Sequence, residues 1–262
     1  MKVHANGIQI NYTVQGEGPW LVLSHSLACD SRMWEAEVAA LSRRFKVLNV
    51  DTRGHGGSDA PPGDYTLDML AADTKALFDA LGVKDAHWIG LSMGGIIAQV
   101  CALNYPGMFK SMVLADTTSG YPPAAAAVWD ERIATVRAKG MSAIVPGTLE
   151  RWFTEPFRRA HPEVADKVGG WIAATPVNGY CGCGKALPTL NATPRLGEIK
   201  VPTLVICGEE DSGTPPAMAR AIHAGIAGSE LVMIPQAAHL SNMEQPAAFL
   251  AAVEKFYKRI GV

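Results

Sequence analysis

The sequence predicts an α/β chain: a mostly parallel central sheet flanked by helices, with a helical segment inserted late in the order. Three observations carry this. Short, nearly continuous apolar strands alternate with helical stretches, the pattern of a parallel sheet covered on both faces. That rhythm breaks between about 119 and 195, where no convincing strand occurs and where Trp129, Trp152 and Trp171 fall. The third is Gly90-Leu91-Ser92-Met93-Gly94, with one apolar run before it and another after it. The expected division is a core built from 1–118 and 196–262, with a helical cap over 119–195.

The elements follow in order. Ile8-Gln9-Ile10-Asn11-Tyr12-Thr13-Val14 alternates and reads as a half-exposed antiparallel edge strand, ended by Gly16-Glu17-Gly18-Pro19. Trp20–Ser24 and Phe45–Val50 are short apolar strands separated by a helical stretch at about 32–43. Leu67, Leu70, Leu77, Phe78 and Leu81 recur at helical spacing within 66–81, and Gly82 is the stop. Ala86–Ile89 is a buried strand, Gly95–Leu103 a buried helix and Met112–Ala115 a further strand. After the insertion come a strand at Val201–Ile206, a helix near 215–226, a strand at Glu230–Ile234 and a last helix near 246–259.

Composition narrows the function classes. A chain of 262 residues, 48% hydrophobic, buries a sizeable core. Its 23 basic and 25 acidic residues leave a net charge of −2 without a Lys/Arg cluster, so neither nucleic acid nor an anionic membrane is an expected partner. The longest near-apolar run, 86–103, carries His87, Ser92, Gln99 and three glycines, which suits strand plus helix rather than a membrane span. The N-terminal heptad has no apolar signal core. Together with an odd count of five cysteines, this leads to an expectation of free thiols in a reducing cytoplasm. Cys29, Cys101 and Cys207 read as small buried residues. Cys181-Gly182-Cys183 has no second ligand pair at zinc-site spacing, so no metal is expected there. The sequence is silent on oligomeric state.

The chemistry centres on Ser92. A serine on a sharp strand-to-helix turn is strained, and its hydroxyl stands out above the sheet. Glycines two residues to either side leave room for close backbone, and the helix start offers free N–H groups to a developing oxyanion. A serine hydroxyl needs a base, and the base an orienting group. After this turn type the order is Ser, acid, His. Of the seven histidines only His239 lies in a loop after a late strand, which makes it the expected base. Asp211, after the strand ending at Ile206, is the expected acid; Asp116, after the strand ending at Ala115, is the alternative, and Glu209 and Glu210 are adjacent rivals. The oxyanion donors are expected to be the N–H of Met93 and one from the loop His25-Ser26-Leu27-Ala28, at Leu27. In Asp51-Thr52-Arg53-Gly54-His55-Gly56-Gly57-Ser58 the expected role is structural, with Asp51 and Arg53 holding the loop by charge-assisted bonds.

These segments together resemble the α/β-hydrolase superfamily across essentially the whole chain. Within it they are most similar to 3-oxoadipate enol-lactonases of the β-ketoadipate pathway. Beyond the motifs above, the supporting segments are Trp129-Asp130-Glu131-Arg132-Ile133, Arg151-Trp152-Phe153-Thr154, Thr175–Cys183 and Ala238-His239-Leu240-Ser241-Asn242. Many superfamily members have His-Gly at His25-Ser26, and enol-lactonases tend to have Asn-Ser; Ser26 matches that subfamily and His25 departs from it. The resemblance implies an α/β-hydrolase fold and a cofactor-free serine hydrolase that opens a small carboxylated lactone through an acyl-enzyme. Such a substrate calls for a cation near the cap, for which Arg132 and Arg151 are candidates against a plain surface role. Trp129, Trp152 and Tyr180 are candidate pocket walls against simple cap packing. A general carboxylesterase or a carbon–carbon bond hydrolase would use the same triad, and a non-catalytic ligand sensor is a reading of another class. A haloalkane dehalogenase needs a carboxylate where position 92 holds serine.

Overall fold

The computed structural model describes residues 1–262. Its sheet has eight strands: β1 (Lys2–Ala5), β2 (Ile8–Gln15), β3 (Trp20–Ser24), β4 (Lys46–Val50), β5 (Ala86–Leu91), β6 (Phe109–Ala115), β7 (Thr203–Gly208) and β8 (Glu230–Ile234). Their spatial order is β1-β2-β4-β3-β5-β6-β7-β8. From β4 to β8 all neighbours are parallel, while β1 and β2 run antiparallel. The central strands carry the least exposed apolar run, including Leu21–Leu23, Met112–Ala115 and Leu204–Ile206. Parallel strands covered on both faces need no polar alternation.

One sequence expectation is corrected at the margin. The strand at Ile8–Val14 is antiparallel and half-exposed as expected, but it is not the edge. Asn6 and Gly7 both take positive φ, 47° and 78°, the tight-turn geometry that this dipeptide favours. The turn folds Lys2–Ala5 back as β1, which becomes the edge.

Eleven α-helices complete the chain: α1 (Glu35–Leu41), α2 (Leu67–Leu81), α3 (Met93–Asn104), α4 (Ala125–Lys139), α5 (Val145–Trp152), α6 (Glu155–Ala160), α7 (Pro162–Ala174), α8 (Val177–Ala186), α9 (Pro216–Gly225), α10 (Ser241–Glu244) and α11 (Pro246–Arg259). Thr66 caps α2 by accepting from Met69 N–H, and Gly82 ends it in the left-handed region. Adjacent residues of β5 show that α2 and α11 cover opposite faces. Trp88 meets Phe78 of α2, whereas His87 meets Tyr257 of α11, and successive strand residues point to opposite sides.

Between β6 and β7 the chain runs through α4–α8 without forming a strand. It returns beside its departure point, where Gly120 bridges Asn191. α8 rests on the loop that follows β4. Its Gly179 lies so close to Gly54 that a Cβ on Gly54 would come within 2.4 Å of Gly179 Cα. Asp51 and Arg53 both hold that loop by charge-assisted bonds, as expected, but not to one another. Arg53 makes a bidentate pair with Asp73 of α2, at 2.6 Å to each oxygen, both side chains being buried. Asp51 instead accepts from Asn11 Nδ2, Ser31 N–H and Gly57 N–H. The fork of the guanidinium finds a buried carboxylate across 20 residues because α2 packs under the loop.

Candidate active site

Ser92 lies between β5 and α3 with φ 53° and ψ −110°, a strained position for a residue with a Cβ. The turn is fixed from several sides. Ser92 N–H donates to Ala115 O at 2.9 Å, and Thr117 Oγ1 donates to Ser92 O at 2.8 Å. A Cβ on Gly94 would lie 2.1 Å from Ser24 O, and one on Gly90 would lie 2.3 Å from the Gly94 backbone. Close approach of β3, β5 and α3 therefore requires both glycines.

His239 and Asp211 meet. The Nδ1 of His239 lies 2.9 Å from Asp211 Oδ2, and both side chains are buried. With Nδ1–H donating to the carboxylate, Nε2 is the free ring nitrogen. Asp211 Oδ1 accepts from Gly213 N–H and Thr214 N–H at 2.7 and 3.0 Å, and Thr214 Oγ1 donates to Oδ2 at 2.7 Å. Burial raises the Asp211 carboxyl, but the His239 charge and these hydrogen bonds prevail, so its pKa is lowered. For His239, burial disfavours the charged form. The Asp211 carboxylate more than offsets this, and the imidazole's pKa is raised above its ordinary value.

Asp116, the alternative acid, does not reach the imidazole. Its Oδ1 accepts from Gly208 N–H and its Oδ2 binds the Ser241 hydroxyl. Glu209 and Glu210 are exposed.

Ser92 and His239 share a cavity of about 420 Å³. Leu27 lines it, and Met93 is the first residue of α3. In the loop after β3 the N–H groups of Ser26, Ala28 and Cys29 donate to Met33 Sδ, His55 Nε2 and Ser26 O. The N–H of Leu27 alone among these four has no acceptor. Met93, at the helix start, has no acceptor in a preceding turn. Two neutral histidines set this loop. His25 Nε2 accepts from Thr52 N–H at 2.9 Å, and His55 Nε2 accepts from Ala28 N–H at 3.0 Å. Burial pushes the pKa of His25 down and that of His55 to about 3. The departure at His25 thus has a local role in tying the loop after β3 to the loop after β4.

The inserted helices supply the other wall of the cavity. Trp129, Arg132, Arg151, Trp152 and Tyr180 all line it. Arg132 stacks over Trp129 at 5.2 Å, and Arg151 donates to Thr148 Oγ1 at 3.2 Å. Neither arginine is ion-paired to a carboxylate. Arg151's pKa is pushed below its usual value by burial and by the neighbouring Arg132 charge.

Several contacts were beyond sequence reasoning. Trp152 stacks against the His239 ring at 6.1 Å between centroids, and its carbonyl accepts from Leu240 N–H. Glu244 accepts from Ala238 N–H at 2.8 Å and from Thr154 N–H at 2.9 Å, joining the histidine loop to the α5–α6 junction. Tyr121 also lines the cavity, its phenol pushed up to about 12 by burial. Only Thr214 left a signal: Asp211-Ser212-Gly213-Thr214 has the composition of a side-chain-capped turn.

A family model for the alpha/beta hydrolase fold matches residues 19–246. The chain belongs to the alpha/beta hydrolase family. Among curated relatives of this alpha/beta hydrolase, 3-oxoadipate enol-lactonase 2 of Acinetobacter baylyi is 36% identical over 257 residues, 97% of this chain and 95% of the relative. Among solved structures, the enol-lactonase of Burkholderia xenovorans superposes with a TM-score of 0.95 at 36% identity, covering 98% of this chain and 100% of that one. A thermophilic esterase from Thermogutta terrifontis, described as malate bound, superposes with a TM-score of 0.95 at 30% identity, covering 100% of both chains. The resemblance to enol-lactonases thus extends along the whole hydrolase.

All five cysteines of this hydrolase are buried and free, including Cys181 and Cys183 within α8. No helix is long and apolar enough to cross a membrane.

Proposed function

We propose that this alpha/beta hydrolase is a serine hydrolase opening a small carboxylated lactone, of the 3-oxoadipate enol-lactone kind, beneath a helical cap at 119–195 set on a core of 1–118 and 196–262. The observation that carries the reading is the 2.9 Å His239–Asp211 contact beside Ser92 in a cavity walled by two unpaired arginines.

Ser92 Oγ attacks the lactone carbonyl as His239 Nε2 takes its proton. Asp211 keeps the imidazole in that tautomer and stabilises its charged form. The N–H groups of Met93 and Leu27 receive the oxyanion, each donor being worth about 10²–10³ in rate. Collapse breaks the ring C–O bond. The freed oxygen takes the proton from His239 as an enol, which stays attached to the acyl chain on Ser92 and becomes a ketone. Water, deprotonated by His239, then cleaves the acyl-enzyme.

Arg132 and Arg151 suit a substrate carboxylate, because an anion between them relieves the like-charge pressure on Arg151. Trp129, Trp152 and Tyr180 provide the apolar walls that such pockets use. Arg132→Ala is expected to raise KM for a carboxylated lactone about tenfold or more, as loss of a charged hydrogen-bond partner does. KM for p-nitrophenyl acetate should change little. Equal effects on both substrates would remove the proposed role.

Turnover of an enol-lactone against p-nitrophenyl acetate tests the substrate class. Fast lactone opening is expected. Fast ester cleavage without lactone opening would favour a general carboxylesterase, a reading supported by the likeness to the Thermogutta terrifontis esterase.

The pH profile has a defined sign. Only neutral His239 is a base, and its pKa is raised. The acid limb of kcat/KM is therefore expected above the ordinary imidazole value of about 6.5, with activity rising as pH increases through it. A limb well below that value would contradict the role of the Asp211 carboxylate.

A further inference from the structure

Glu244 is a buried carboxylate that the mechanism above leaves unused. No cation pairs with it. Its two oxygens are divided between two segments of chain. Oε2 accepts from Ala238 N–H at 2.8 Å. Oε1 accepts from Thr154 N–H at 2.9 Å and from the Thr154 hydroxyl. Ala238 immediately precedes His239, and Thr154 lies where α5 gives way to α6.

A second link crosses the same gap. Leu240 N–H, on the other side of His239, donates to Trp152 O at 3.1 Å, and the Trp152 ring stacks on the imidazole. Both neighbours of His239 therefore donate toward the inserted helices: Ala238 through the Glu244 carboxylate, Leu240 directly. The sheet supports the loop from elsewhere. Glu210 N–H donates to Ala237 O at 2.9 Å, and a Cβ on Gly208 would come within 2.2 Å of Ala238 O. Two of the three donors around Glu244 are main-chain N–H groups, which can never accept. Without the carboxylate both would be buried and unpartnered. Glu244 N–H itself donates to Leu240 O at 3.0 Å, so the side chain springs from the loop that it holds.

We propose that Glu244 is a positioning residue: it ties the His239 loop to the α5–α6 junction, so that the inserted helices take part in placing the imidazole over Ser92. The inference rests on His239 being the general base. Misplacing a catalytic group by about 1 Å costs on the order of 10² in rate, which is the scale expected when the bridge breaks.

The test is kcat and KM for p-nitrophenyl acetate, a substrate that needs the triad but not the lactone reading. The variants are Glu244→Gln, Thr154→Val, the two combined, and Glu244→Asp, each assayed well below its own melting temperature. In Glu244→Gln the amide oxygen accepts from Ala238 N–H, and the NH₂ donates to the Thr154 hydroxyl, which can accept as well as donate. In Thr154→Val the carboxylate keeps both N–H groups. Either single change leaves the bridge standing. In the combined variant the NH₂ faces only an N–H, whichever way the amide turns, and one half of the bridge is lost. Each single variant is expected within about threefold of wild-type kcat and the combined variant about 10²-fold below it, well beyond the product of the two. KM should stay within about twofold throughout, because the binding walls are untouched. Glu244→Asp keeps the charge but is too short to span both N–H groups, and its kcat should fall about tenfold or more at unchanged KM.

A combined variant no slower than the product of the single effects overturns the proposal. So does an effect confined to KM, which would make Glu244 a support of the cavity wall rather than of the base. Should the combined variant not fold, Glu244→Asp decides, and wild-type kcat there overturns the proposal. If Ser92→Ala remains as active as wild type, the triad reading itself fails and this inference goes with it.

Discussion

Ser92→Ala is expected to lower kcat by about 10⁶, the scale seen when a serine hydrolase loses its nucleophile, while the protein keeps its fold. The two halves of that statement have separate causes. In the proposed mechanism the loss is large because Ser92 forms the covalent intermediate, and without its hydroxyl the oxyanion donors and the base have no nucleophile to act on. The fold survives because the scaffold does not use the hydroxyl. The turn is held by Ser92 N–H on Ala115 O, by Thr117 Oγ1 on Ser92 O, and by the close approach of Gly90 and Gly94 to their neighbours. Circular dichroism and the melting temperature should match wild type within a few degrees. A variant that retained a tenth of wild-type kcat would remove Ser92 from the chemistry.

Asp211→Asn is expected to lower kcat by about 10⁴, in line with loss of the correct imidazole tautomer. The amide NH₂ facing His239 Nδ1 makes that nitrogen an acceptor and moves the ring proton to Nε2, where the base must be bare. The Asn carbonyl can still accept from Gly213 and Thr214 N–H, which limits the structural damage. Asp116→Asn should cost no more than about tenfold, because Asp116 never contacts the ring and positions it only through neighbours. The ranking of the two variants by kcat at one pH separates the acids. A severe Asp116→Asn beside a mild Asp211→Asn would exchange their roles.

Much of the architecture was legible because it rests on local rules. Continuous apolar strands, the capped helix Leu67–Leu81 and the strand–Ser92–helix turn each declare themselves within about a dozen residues. The order Ser, acid, His then picked out His239 and Asp211, which the fold brings into contact. What escaped depends on distant packing. Arg53 lies two residues from Asp51 in sequence, yet its partner is Asp73, because a helix slides beneath the loop. β1 is short and mostly exposed, so it lacks the alternation that marks a strand; only Asn6-Gly7 hinted at the hairpin. The stacking of Trp152 on His239 and the Glu244 bridge to Thr154 arise where the inserted helices settle on the sheet. No short-range pattern encodes that docking. Cavity residues such as Tyr121 were missed for the same reason.

The most direct test of the central claim is covalent. The enzyme is inactivated with diethyl p-nitrophenyl phosphate, and the modified residue is located by peptide mass spectrometry. The account predicts one diethylphosphoryl group per chain, on Ser92, accumulating in step with the loss of activity and absent from Ser92→Ala. Complete inactivation with Ser92 unmodified, or with the adduct on another residue, would contradict it.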